Sequence, residues 1–123
     1  MRTLLLAGVL LALCLEGAFG QTAAAQLTGR ITDPSGAVIP GAEITVRNTE
    51  TGVSRNTVSN ESGYWANPFL EPGAYEILVK KQGFKPVRRS GLRLQVNQAA
   101  AVDFVLELGD LTETITVRAD VSL

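Results

Sequence analysis

From Ala25 onward the apolar residues of this chain recur at every second position, and clusters of Gly, Pro and Asn break the pattern at short intervals. Period two belongs to strands, because successive side chains leave a strand on opposite faces. Segments this short, each ended by turn residues, predict hairpins and crossovers of sheet rather than helices. The expected class is all-β, with no helix of three turns after the first twenty-odd residues.

The segments can be placed one by one. Leu27 and Ile31 alternate with Thr28 and Arg30, and Asp33-Pro34-Ser35-Gly36 follows as a turn in which Pro presets φ and Gly accepts positive values. After Pro40-Gly41, Ile44 and Val46 face away from Glu43, Thr45 and Arg47, which predicts a half-buried strand. Residues 53–58 read as a polar edge strand, and Asn60-Glu61-Ser62-Gly63 closes a hairpin into Tyr64, Trp65 and Ala66. Past Glu71-Pro72-Gly73, the residues Tyr75, Ile77 and Val79 alternate with Glu76 and Lys80 in the clearest core strand. Beyond the Gln82-Gly83 turn and Phe84, Leu92, Leu94 and Val96 form another alternating set. In the next set Val102, Phe104, Leu106 and Leu108 oppose Asp103, Val105 and Glu107. Seven or eight strands in about 100 residues predict a Greek-key sandwich of two sheets.

The N-terminal residues follow another rule. Arg2 precedes an uncharged apolar run over residues 4–15, then Glu16, Gly17 and small residues, which is signal-peptide architecture. A membrane-crossing helix needs about 20 apolar residues, and this run is shorter. Ala18-Phe19-Gly20 predicts cleavage before Gln21, with Ala23-Ala24-Ala25 and a cut before Gln26 as the alternative. The expected layout is therefore residues 1–20 signal peptide, 21–25 linker, 26–109 sandwich and 110–123 extended tail, exported to the periplasm or the periplasmic face of the outer membrane. The single Cys, Cys14, leaves with the leader, so no disulfide is expected afterwards. Bulky Leu13 and Leu15 around it disfavour a lipoprotein acceptor.

Composition removes several function classes. Eleven Lys and Arg against twelve Asp and Glu give a net charge of −1, so no global basic field exists to collect nucleic acid. With no His in the chain, Ser-His-Asp and Cys-His catalysis and His-ligated zinc or haem are excluded. No cofactor is expected, and the chain reads as a non-enzyme.

Three groups remain as candidates for binding. Lys80, Lys81, Lys85, Arg88, Arg89 and Arg93 form a local basic stripe, with no acidic residue over positions 77–102. Such a stripe meets lipopolysaccharide or an acidic partner, or else is a solvated edge that Lys protects from aggregation. Tyr64, Trp65, Phe69 and Tyr75 are the aromatics able to stack on a carbohydrate ring, although Trp65 and Tyr75 sit at core parity. Asp33, Glu61 and Asp110 lie in turns without the dense spacing of a calcium loop, so turn duty is expected of them.

Leu27-Thr28-Gly29-Arg30-Ile31-Thr32-Asp33, Gly36, Pro40-Gly41-Ala42 and Ile44-Thr45-Val46 together resemble the opening of carboxypeptidase regulatory-like domains. Asn60-Glu61-Ser62-Gly63, Tyr64-Trp65, Leu70, Pro72-Gly73, Tyr75 and Gly83-Phe84 are similar to that family's second half. The resemblance covers residues 26–108 and implies a transthyretin-like (prealbumin-like, Ig-like) sandwich. Asn60-Glu61 stands where many members carry Asp, which argues against turn-bound calcium.

The tail supplies a second resemblance. Glu113, Thr114, Ile115, Thr116, Val117, Arg118 and Ala119 resemble the TonB box of TonB-dependent outer-membrane receptors, an extended segment that pairs with the C-terminal domain of TonB. A β-branched stretch suits that role, because in β-augmentation backbone hydrogen bonds carry the affinity. The alternative reading is that this stretch is simply the last strand of the sandwich. The resemblance implies a domain placed between a signal peptide and a receptor's plug and barrel, which would follow if the reading frame continues. A free-standing carbohydrate-binding module is the competing expectation.

Overall fold

The computed structural model describes residues 24–109 and 115–118. The leader with its cleavage site before Gln21, Asp110, Glu113, Thr114 and Ala119 lie outside the described residues, whereas Ala25 and Gln26, which flank the alternative cut, open the first strand. The elements in chain order are β1 (Ala25–Thr32), β2 (Glu43–Asn48), β3 (Ser54–Val58), β4 (Tyr64–Leu70), β5 (Gly73–Lys80), β6 (Val87–Leu94), β7 (Ala99–Ala101), β8 (Phe104–Val105) and β9 (Ile115–Arg118). They form two sheets. One has the order β3-β2-β5-β6-β9; the other has the order β4-β1-β7, with β8 continuing the pairing along β1. Since β7 and β8 are consecutive pieces lying along one strand, the chain forms the expected all-β sandwich.

The alternation read from sequence is what faces the sheets together. Leu27 and Ile31 from β1, with Trp65, Leu70, Ala100 and Phe104 from its neighbours, are buried. Opposite them lie Ile44 and Val46 from β2, Tyr75, Ile77 and Val79 from β5, and Val87, Leu92 and Leu94 from β6. Each large aliphatic or aromatic side chain fully removed from water contributes about 1.5–3 kcal/mol. The Trp65 and Phe104 rings meet tilted at 50°, with centroids 6.4 Å apart.

β1 is the hinge of the small sheet, antiparallel to β4 and parallel to β7 and β8. Val102 N donates to Thr28 O at 2.7 Å and Leu106 N to Thr32 O at 2.8 Å. Between β7 and β8 the ladder is interrupted, and there the Asp103 carboxylate accepts from Arg30 N at 2.9 Å. Gly29 makes this closeness possible. A Cβ at that position would lie 1.8 Å from Val102 O and 2.6 Å from Trp65 Nε1.

Two residues depart from their expected facing. Leu108 is exposed rather than inward, because the ladder along β1 has ended and Leu108 makes only an isolated bridge to Phe84. Val96, placed by sequence in the alternating set with Leu92 and Leu94, is also exposed, just past the end of β6.

Candidate functional site

The tail candidates occupy the open edge of the larger sheet. β9 runs parallel to β6, with Ile115 opposite Val87, Thr116 opposite Arg88, Val117 opposite Arg89 and Arg118 opposite Ser90. Ile115 N donates to Pro86 O at 2.8 Å, and the Ile115 side chain packs half-buried against the core. Thr116 and Val117 stay exposed. The backbone of Ile115, Thr116, Val117 and Arg118 thus continues the β6 edge. A parallel strand needs no tight turn, so no turn signal in the sequence announced it.

Strand pairing divides the basic stripe. Lys80, Arg88 and Arg93 point to the outer face of the larger sheet, where β2 brings Glu43 opposite Lys80. Arg47 Nη1 meets Glu76 Oε1 at 3.3 Å on the same face, and Arg93 reaches Glu50 at 3.9 Å. Arg89 turns inward and stacks its guanidinium 4.9 Å from the Phe104 ring centroid. Lys85 packs its aliphatic stem against Gly109, and Lys81 lies beside Gly41. The six cations are therefore interleaved with carboxylates from distant strands or turned aside.

Of the aromatics, Trp65 and Tyr75 are buried as their parity required, and the Tyr75 hydroxyl donates to Glu71 O at 2.6 Å. Tyr64 is exposed, with the Arg30 guanidinium 5.4 Å from its ring centroid. Phe69 shares the inward parity of Trp65 and Asn67, yet it is 72% exposed. The cause is a β-bulge: Ala25 pairs Leu70 and Leu27 pairs Asn67, so Pro68 and Phe69 together face Gln26. Pro68 was the signal for it, since Pro inside a strand marks a bulge or an edge.

The acidic turn residues serve the backbone. Asp33 Oδ1 accepts from Ser35 Oγ at 2.6 Å, Ser35 N at 2.9 Å and Ala37 N at 3.0 Å. The Ser35 hydroxyl bond, with the backbone donors, holds the Asp33 carboxyl below its ordinary value of 3.8. Asn60 Oδ1 takes the equivalent place in the next hairpin, accepting from Ser62 N and Tyr64 N at 3.0 Å each. Among the described residues no three acidic, His or Cys side chains gather as a metal site would need.

What this geometry defines is an all-β sandwich that offers open strand edges and exposed faces. The chain belongs to the carboxypeptidase regulatory-like domain family, whose profile matches residues 26–107. It is also similar to the TonB-dependent transporter Oar of Myxococcus xanthus, at 30% identity over 81 residues covering 62% of this chain. The chain spans 8% of that relative's length. Among solved structures, a Bacteroides uniformis protein described as carbohydrate binding superposes with a TM-score of 0.56 at 19% identity, covering 68% of this chain and 41% of that one. The major pilin subunit BcpA of Bacillus cereus gives 0.57 at 15% identity, over 70% of this chain and 30% of the pilin. The 3-chlorocatechol 1,2-dioxygenase of Rhodococcus opacus gives 0.56 at 8% identity, over 70% of this chain and 60% of the enzyme. Identities this low report a shared fold only.

Proposed function

We propose that the chain is a non-catalytic, periplasmic domain of a TonB-dependent outer-membrane receptor, acting by binding and carrying the strand that couples the receptor to TonB. The observation that carries this reading is the state of β9. Ile115, Thr116, Val117 and Arg118 are extended and paired through the backbone to an open sheet edge, with one half-buried side chain as anchor. Pairing on TonB would use the same backbone groups, so the segment would exchange one edge for another. The similarity to a TonB-dependent transporter supports the receptor context. The plug and barrel of such a receptor would be separate from this sandwich, and the sandwich would present the donor rather than transport anything.

The test is binding of a TonB C-terminal domain to the full chain and to Ile115→Pro, with melting temperatures of both. Proline removes the amide that bonds Pro86 O and interrupts any ladder containing residue 115. The expected result is binding by the unsubstituted chain, none by the variant, and a melting temperature lowered only modestly. No binding by the unsubstituted chain, together with a steep loss of stability in the variant, would show β9 to be a structural strand and reject the proposal.

A further inference from the structure

Among the described residues only two other than Gly hold a positive φ, Phe69 at 59° and Asn97 at 57°. Both line one depression of about 310 Å³ at the end of the smaller sheet, with Gln26, Pro68 and Gln98. Asn tolerates the left-handed conformation in turns, so Asn97 is unremarkable alone. Phe69 is different. At a left-handed bulge position Gly is the unstrained choice, and a bulky side chain there is held against its conformational preference. The ring gains little burial in return, being 72% exposed. Neither the backbone nor the core explains an aromatic here. The bulge is held from the other sheet, where Arg55 Nη1 donates to Pro68 O at 3.1 Å.

The composition of the depression selects its occupant. None of its eight lining residues carries an ionisable side chain, so nothing there matches a charged ligand. The exposed ring offers a flat face to the C–H groups of a sugar, and the amides of Gln26 and Asn97 offer paired donors and acceptors to hydroxyls. Those two amides have no side-chain partner among the described residues. A peptide strand is a poorer fit: Pro68 has no N–H to give, and the bulge twists this edge away from regular pairing. We infer that Phe69, Gln26 and Asn97 form a binding site for a neutral oligosaccharide, independent of the TonB-coupling reading.

The test uses the full chain and a panel of neutral oligosaccharides, maltohexaose, xylohexaose and chitohexaose, with oligogalacturonate as the charged control. Backbone amide shifts are followed in heteronuclear NMR spectra. Binding by at least one neutral sugar, with shifts confined to the surroundings of Gln26, Phe69 and Asn97, is the expected result. Phe69→Gly should weaken it by roughly tenfold or more while the melting temperature holds or rises, since the ring is lost and the strain with it. Phe69→Tyr should retain binding. The inference is overturned if no neutral sugar shifts these amides, if Phe69→Gly binds as well as the unsubstituted chain, or if oligogalacturonate binds best.

Discussion

The sandwich contains two parallel pairings of similar geometry and unequal commitment. Along β1, the chain of β7 and β8 buries Ala100, Val102, Phe104 and Leu106, each at most 5% exposed, and a carboxylate bridges the one break in the ladder. Along β6, β9 offers four residues, of which Ile115 is half-buried and Val117 is 38% exposed. The backbone pattern is the same, so the side chains set the difference. One added strand closes the core, whereas the other lies against its rim.

The strongest way to break this contrast is Gly29→Ala. Its Cβ would overlap the Val102 carbonyl, which as backbone cannot swing aside, so β7 would have to move off β1. The expected cost is about 3 kcal/mol or more, a drop of well over 10 °C in melting temperature for a domain this size. A variant melting like the unsubstituted chain would show that the small sheet shifts freely and is no more committed than β9.

A smaller effect should follow Ile115→Ala, which removes the one anchor of β9. About 1 kcal/mol is expected, given partial burial. Hydrogen exchange sharpens the point: the amides of Val102 and Leu106 should open only with global unfolding, and that of Ile115 should exchange far sooner. Equal protection at all three would erase the distinction between the strands.

The smallest effect concerns the turn that leaves β1. Because the Asp33 carboxyl is held below its ordinary value, its ionised form favours the folded state. That contribution is complete above pH 3.8 and disappears as pH falls through the lowered value in the folded chain. Asp33→Asn keeps an acceptor oxygen but not the charge, so urea titrations below about pH 4 should show a shallower loss of stability with acid than the unsubstituted chain. The two should run parallel above pH 5 or so. An unchanged acid slope would mean that Asp33 titrates alike in both states.

Parity read along the chain identified the interior well where ladders are regular: Leu27, Ile31, Ile44, Val46, Tyr75, Ile77 and Val79 all point inward. It failed at Val96 and Leu108, where a strand end and a ladder end change the facing, and parity contains no information on either. The basic stripe looked continuous because Glu43 joins its surroundings only through the pairing of β2 with β5, and Glu50 only through its approach to Arg93. Docking of β9 was similarly illegible, since a parallel neighbour leaves no local mark. Gln26 and Asn97 escaped notice for the same reason, being 71 positions apart in sequence and brought together only by the pairing of β1 with β7.

The central position of β1 also sets an order of events in time. Its contact with Asp103 spans 73 residues, so the small sheet lacks one flank until nearly the whole sandwich has been delivered. Closing so long a loop is entropically costly, and chains dominated by such distant contacts fold slowly. A chain fed through a membrane pore from its N-terminus would accordingly leave the parallel flank of β1 unpaired until residues 99–105 emerged. Only then would Val102 and Leu106 supply the hydrogen bonds to Thr28 and Thr32 that complete that flank.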